Sequence, residues 1–435
     1  MELRMSRLPP VPASTDGLRP CVVLSCLGAS EGDMNLVRSL GMAGVPVILV
    51  SEYADPPARL SRHCTEFVQV PMFSERPEAL LQALRDLAAH HGGPLPVLPS
   101  ADPDLEVLAG LLSQDTRDCI ASTMPDPALV RQLMDKTTFD RLAATHRLPV
   151  PRSVAPTTLA EVGAAAEQLR FPAIVKPATP VSWCHQSVLP EAVRRAKALR
   201  VDTAAELMTL CAQLLPAGAA SLVQEFIEGP DEEHFDVHAF IGRDGRAQAV
   251  FSGRKWRIWP PHAGSGCFVE SLDAPGLEAL ALDILARIGY RGIANMNFKR
   301  DRRTGEFLLL EINPRVSQWG ILTTRCGVNL PWLAWRDAQG LPPLPPLPPA
   351  RAGRWYVNGL TDLRAARQYR AEGLASWGAH LRSLLRWPLV CQTLSLEDPR
   401  PALVLTSRWI ARKMRVTPPL PPRQPAEDPQ TPRHP

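Results

Sequence analysis

Lysine is scarce in this sequence. Among 48 basic residues only Lys136, Lys176, Lys197, Lys255, Lys299 and Lys413 are lysines, so arginine is the default surface cation. A lysine kept on such a background marks a place that suits a compact, flexible ammonium better than a planar fork. Cysteine is little used as well: nine residues, an odd number, with no CxxC pair. That excludes a disulfide framework and a zinc site, and predicts a reduced, cytoplasmic setting. No apolar run reaches the length of a membrane-spanning helix, and "MELRMSRLPPVPAS" has no apolar segment of the secretory-leader kind. Charge of one sign is not in excess. A net +4 over 435 residues gives no case for nucleic acid. No Ser-His-Asp or Cys-His pattern suggests a covalent nucleophile. Gly28 and Gly32 do not complete GxGxxG, which weakens a dinucleotide-binding reading with Glu52 as the ribose acid.

The remainder is ordinary globular composition, 45% hydrophobic and 21% charged, with room for two or three domains. Residues 1–19 read as a disordered tail. Residues 20–125 alternate apolar strands ("CVVLSC", "VPVILV", "PLPVLPS") with helices, one of them opened by a Ser30–Asp33 capping box, as in a parallel α/β sheet. Asp126-Pro127 places an N-cap and a first-turn proline at the start of a helix. The pattern then changes to antiparallel strands beside helices through residue 340, with hairpins turning at Arg243 to Gly245 and before "FLLLEIN". "LPPLPPLPPA" (341–351 with its neighbour) reads as a stiff polyproline linker, 352–415 as a mostly helical extension, and 416–435 as a second tail.

"LLLEINPRVSQWG" ends an apolar run with polar residues at alternate positions. On a strand, Glu311, Asn313 and Arg315 share one face while Leu310, Ile312 and Pro314 take the other. A carboxylate beside an amide oxygen suits a hard cation such as Mg²⁺, and an arginine one step on suits a phosphate or carboxylate.

The order of the strings "RQLMDKTTFDRLAATHRLPVPRSV", "FPAIVKP", "VQEFIEGPDEEHF", "FSGRKWRIWPPHAGSG" and "LLEINPR" resembles the ATP-grasp superfamily. The likeness is to carboxylate–amine ligases related to the ATP-binding halves of carbamoyl phosphate synthetase, and it spans about residues 21 to 410. It implies an α/β half-domain, then a two-lobed α+β nucleotide-binding domain with a small lobe near 135–222 and a large lobe near 223–340. It implies ATP and Mg²⁺ (or Mn²⁺) as cofactors. Lys136 and Lys176 then reach the phosphates, and the backbone of Gln224, Glu225, Phe226 and Ile227 runs along the adenine. One of Asp231, Glu232 and Glu233 takes the ribose, and Glu311 and Asn313 hold the metal. The third metal position carries Asn297, where most relatives have Glu, Asp or Gln. The loop after Lys176 is free of glycine, so Arg194, Arg195 and Lys197 stand in for backbone donors and Trp183 is expected to close over the nucleotide. Arg315, Lys255 and Arg257 are the expected catalytic cations.

The implied reaction forms an amide from a carboxylate and an amine through an acyl phosphate, releasing ADP and phosphate. The rivals are an ATP-binding regulatory subunit with weakened turnover, suggested by Asn297 and the glycine-free loop, and another ATP-grasp chemistry such as carboxylation. The expected partners are small-molecule acid and amine, not nucleic acid; a homo-oligomer is compatible with the sequence. Leu374, Trp377, Leu381, Leu384 and Leu385 form a helical stripe. It is expected to pack on the body, the rival being a membrane-surface helix with Arg382 and Arg386 at the headgroups.

Overall fold

The computed structural model describes residues 18–28, 31–178, 182–196 and 198–413. Ser30 and Lys197 fall outside them. The first domain comprises β1 (Cys21–Ser25), α1 (Glu31–Met42), β2 (Val47–Ser51), β3 (Cys64–Gln69), α2 (Pro77–His90), β4 (Leu95–Pro99), α3 (Asp102–Leu112) and β5 (Ile120–Ala121). Its strands are parallel, in the order β3-β2-β1-β4-β5. Every residue of β1, β2 and β4 is buried, as expected of strands covered by helices on both faces.

Two helices lead out of this domain: α4 (Pro127–Met134), capped by the Asp126 side chain accepting from the Ala128 N–H, and α5 (Lys136–Thr145), capped by Asp135. The small lobe follows, with β6 (Ser153–Val154), α6 (Leu159–Gln168), β7 (Ala173–Pro177), α7 (Glu191–Arg194), β8 (Leu199–Val201), α8 (Ala204–Leu214) and β9 (Ser221–Glu225). Its sheet, β6-β9-β7-β8, is antiparallel, and α6 and α8 close a core of Val162, Val175, Leu207, Cys211 and Val223.

The large lobe contains β10 (His234–Ile241), β11 (Ala247–Trp259), β12 (Ser265–Leu272), α9 (Pro275–Arg287), β13 (Gly292–Arg300), β14 (Phe307–Asn313), α10 (Ile321–Arg325) and α11 (Leu330–Ala338). The extension adds β15 (Trp355–Val357), α12 (Gly359–Ala371), α13 (Trp377–Leu384), β16 (Leu389–Cys391) and α14 (Arg400–Lys413). One seven-stranded sheet, β14-β13-β10-β11-β12-β15-β16, joins the lobe to the extension, which thus contributes two strands besides its helices. On one face Val237, Ala239, Met296, Phe298, Leu309 and Ile312 pack against α9. On the other, Phe251, Val269 and Trp319 merge with α10, α11 and the first domain's α1 in a single core.

The polyproline segment is not a free spacer. Leu341, Leu344, Leu347 and Ala350 are half-buried against that shared core while the prolines between them face solvent. A three-residue repeat is the period of a polyproline helix, so one edge of it carries all the apolar side chains.

Candidate active site

The site grows from alternation on the large-lobe sheet. In β10, "HFDVHAF" sends Phe235 and Val237 into the core and His234, Asp236 and His238 to the opposite face. Strand register sets their neighbours. Asp236 lies beside Asn297 and Asn297 beside Glu311; His238 lies beside Asn295 and Asn295 beside Asn313; His234 sits between Lys255 and Lys299. Nine polar side chains therefore share one face, eight on β10, β13 and β14 and Lys255 on β11. Sequence reading had singled out Glu311, Asn313, Asn297 and Lys255 from this set but not the β10 trio, Asn295 or the placement of Lys299. The period-two pattern H-x-D-x-H was the available signal.

Lys255 is buried among them. Its Nζ lies 2.7 Å from Asp236 Oδ1 and donates to Asn297 Oδ1 at 2.5 Å. Trp319 Nε1 donates to the other Asp236 oxygen at 3.2 Å, and its indole packs at a tilt against His238 with ring centres 4.2 Å apart. Gly253 makes room for that indole: a Cβ there would come within 2.8 Å of the Trp319 ring. Burial and the positive charge of Lys255 push His238 down to about 3; burial, Lys299 and Lys255 do the same to His234. Both imidazoles are therefore neutral at physiological pH, and burial raises Asp236 against the pull of Lys255.

Lys176, at the end of β7, faces this surface from the small lobe. Its Nζ donates to Gln224 Oε1 at 2.7 Å, and Lys136 Nζ donates to the Pro177 carbonyl at 3.1 Å. Burial and the neighbouring Lys136 lower Lys176 from its ordinary 10.5 to about 8; Lys299 adds to the effect and Glu311 opposes it. Four ammonium groups thus converge between the lobes. Lys299 Nζ also lies 4.6 Å from the Phe226 ring centre, and Arg200 covers the same ring at 5.0 Å.

On the connecting strand, Gln224 and Ile227 are buried. The Glu225 and Phe226 N–H groups donate to the Arg152 and Pro172 carbonyls, and the Glu225 carboxylate is held by Arg170. Asp231 accepts from Tyr369 Oη at 2.6 Å and from the His262 N–H at 2.9 Å, and Glu233 is gripped by Arg300 at 2.8 Å. Two of the three expected ribose acids are thereby committed to holding the chain. The Glu232 side chain makes no hydrogen bond or ion pair among the described residues.

Three expectations need correction. Arg257 does not join Lys255. A bulge at Trp256 shifts the register, so that Lys255 pairs with Val269 and Arg257 with the adjacent Phe268, which puts them on opposite faces. The Arg257 guanidinium is held by Asp362 at 2.7 and 3.0 Å. Arg315 lies beyond the strand end, where alternation stops, and its fork grips Asp102 of α3 at 2.5 and 2.9 Å. A further bulge, at Leu310, restores the parity that lets Leu309 and Ile312 share the core face while Glu311 and Asn313 stay opposite it. Trp183 belongs to the small-lobe core, donating to Ser221 Oγ at 3.1 Å, so it does not close over a ligand. On the same loop, Arg195 pairs with Glu191 at the surface.

The oxygen donors suit a hard cation. Glu311 accepts from the Asn313 amide at 3.1 Å and faces Asn297 directly across the β13–β14 pair. Among the described residues no group of three His, Cys, Asp or Glu gathers as a protein-only cage. Asp236 is taken up by Lys255, which leaves Glu311 as the carboxylate beside the two amides; Glu311, Asn313 and Asn297 fit Mg²⁺ when phosphate oxygens complete its shell.

Beside this face lies a cavity of about 320 Å³, bounded by Glu31, Trp259, Ser265, Gln318, Tyr356 and Asn358 among others. Its wall includes Gly266, where a Cβ would come within 3.2 Å of the Lys255 stem. Among the described residues its wall contains one carboxylate, Glu31, hydrogen-bonded by Asn358 at 3.0 Å, and no basic residue.

Comparison with known proteins agrees with this arrangement. A family described as ATP-grasp in the biosynthetic pathway with Ter operon matches residues 222–357. D-aspartate ligase of Enterococcus faecium is 29% identical over 212 residues, covering 47% of this chain and 49% of that protein. The chain thus spans about half the length of that relative. Formate-dependent phosphoribosylglycinamide formyltransferase of Rhodococcus jostii is 25% identical over 316 residues, covering 69% and 70% of the two chains. In architecture, N5-carboxyaminoimidazole ribonucleotide synthetase of Thermus thermophilus superposes with a TM-score of 0.55 at 18% identity, covering 75% of this chain and 80% of that one. With its parallel half-domain, two facing lobes and lysine-lined polar sheet, the chain has the ATP-grasp fold, and its residues 222–357 match an ATP-grasp family.

Proposed function

We propose that the protein is an ATP-dependent ligase that activates a carboxylate as an acyl phosphate and passes the acyl group to an amine. The observation that carries this reading is the convergence of Lys136, Lys176, Lys255 and Lys299 between the lobes, with Lys176 held near 8 by burial and by its cationic neighbour. Asp236 and Glu311 offset part of that charge, and a triphosphate would offset more of it. Lys136 and Lys176 hold the phosphates. Gln224, Phe226 and Ile227 border the base, and Glu232 is the acid of its turn available to the ribose. Glu311, Asn313 and Asn297 hold Mg²⁺, which neutralises phosphate charge when bound.

In the first step a carboxylate oxygen of the substrate attacks the γ-phosphorus and ADP leaves. In the second, a neutral amine attacks the acyl carbon, phosphate leaves and the amine loses a proton. The protein contributes position and charge and forms no bond of its own. Lys255 and Lys299 face the transferring group, while Arg315, just past β14, is tied to the first domain by Asp102. The cavity beside Lys255 is the acceptor's place. Its lone carboxylate and lack of cations favour an amine-bearing acceptor over a second acid.

A screen of amino acids and small carboxylates for ADP release, with mass spectrometry for the amide, tests the proposal. Amide formed with ADP in equal amount is the expected result. ATP binding without ADP release from any pair would support the non-catalytic rival, which the Lys255–Asn297 hydrogen bond favours by occupying a metal-facing oxygen.

A further inference from the structure

The stripe in the C-terminal extension does not pack as its spacing predicts. In α13 and the turn after it, Leu381 is 62% exposed, Leu385 82% and Trp387 79%; Leu374, just before the helix, is 63% exposed. The residue that α13 buries is His380, facing Asp362 of α12. Leu384 is half-buried against Trp355, and Trp377 is half-buried beside His380. Tertiary packing has thus turned the helix so that Leu381 points outward, with Leu385 and Trp387 exposed just beyond it.

The charge around this patch has one sign. From residue 351 to 415 the sequence carries twelve Arg or Lys against four acids, Asp362, Glu372, Glu397 and Asp398. All four acids are engaged by side chains from outside that segment: Arg257 holds Asp362, His262 contacts Glu372, Arg325 holds Glu397 and Arg38 holds Asp398. On α12 and α13, Arg364, Arg367, Arg370 and Arg382 are exposed, as is Arg386 just after α13, and none of the five forms an ion pair among the described residues. The whole chain is only +4, so the basic charge is concentrated in this segment.

We propose that this face docks on an anionic lipid surface. Leucines and tryptophan enter the boundary between headgroups and acyl chains while the flanking arginines meet the lipid phosphates. A second copy of this chain is disfavoured because it would bring the same unopposed arginines together. A nucleic acid would meet the arginines but leave four large apolar side chains in water. The proposal does not depend on the ligase reading.

Vesicle sedimentation of the full chain tests it, with phosphatidylcholine alone and with about 30 mol % phosphatidylglycerol added. The parent is expected to sediment with the anionic vesicles at low salt, to remain in solution with the neutral ones, and to be released by high salt. The double variant Leu381→Asp/Leu385→Asp is expected to bind at least about tenfold more weakly, with an unchanged melting temperature because both side chains are exposed. A parent that stays in solution with anionic vesicles at low salt overturns the proposal. So does a double variant that binds like the parent. A parent dimer in sedimentation velocity that the double variant abolishes, without vesicle binding, would assign the face to self-association instead.

Discussion

Lys176 shows how one side chain couples stability to ligand binding. Its folded pKa, about 8, lies below the ordinary 10.5 because burial and Lys136 disfavour the charge. Between those values the unfolded chain binds more protons, so the stability of the nucleotide-free protein should rise with pH across that window. Below about pH 8 the folded chain carries an unfavourable charge in full. Lys176→Met should therefore melt a few degrees higher than the parent at neutral pH, by about 2–4 °C, yet bind ATP at least about a hundredfold more weakly. Differential scanning calorimetry and titration calorimetry read the two effects separately, and a variant that melts lower would contradict the buried-charge account. In the parent, ATP affinity should fall as pH rises above about 8, and this dependence should flatten in the variant.

The proposed metal ligands give two more tests. Glu311 is exposed, so Glu311→Gln should leave the melting temperature unchanged while lowering Mg²⁺-dependent ADP formation at least about a hundredfold. Asn297→Asp puts an anionic oxygen opposite Glu311 and beside the Lys255 ammonium. It should tighten Mg²⁺ in the presence of ATP, and superimposable metal titrations of variant and parent would remove Asn297 from the metal's ligands.

At the scale of elements, bulges and straps decide what a motif does. The bulge at Trp256 turns Arg257 from a candidate catalytic cation into the clasp of α12, where Asp362 is almost fully buried. Arg257→Met would leave that carboxylate unpaired and should cost about 3 kcal/mol or more of stability. Turnover per folded molecule should remain, and its loss at unchanged stability would return Arg257 to the chemistry. The polyproline strap makes a milder prediction. Leu344→Ser with Leu347→Ser removes two of the four apolar contacts on its inner edge and should cost about 1 kcal/mol each, read from denaturant midpoints.

Across the whole molecule, two regions share a core and one does not. Trp319, Trp332 and Trp335 pack with Val23, Leu36 and Leu40, so the first domain and the large lobe are joined by continuous apolar packing. The core of the small lobe is built from its own residues alone. On the proposed function, nucleotide held between Lys176 and the Lys255–Lys299 face would link the lobe to the rest. Hydrogen exchange with and without MgATP should show added protection concentrated in β7 and β9, with α1 and α11 little changed.

Local chemistry determined a good deal of this by itself. The buried parallel strands, the Asp126 cap, the hairpin at Gly245 and the pairing of Glu311 with Asn313 on one face follow from period, turn residues and capping, which act over a few positions. The rarity of lysine pointed to the cleft because a scarce residue type carries more information than a common one. What tertiary structure alone decided is where parity breaks and which polar groups are already engaged. A one-residue bulge reverses every side chain after it, and hydropathy does not mark it in advance. Asp231, Glu233 and Arg315 were legible as polar groups near the site. Their partners Tyr369, Arg300 and Asp102 lie 138, 67 and 213 residues away, so only the folded chain brings them together. The stripe of α13 was legible as a stripe. Which side faced water depended on His380 meeting Asp362, a contact set by the packing of α12 rather than by the helix's own sequence.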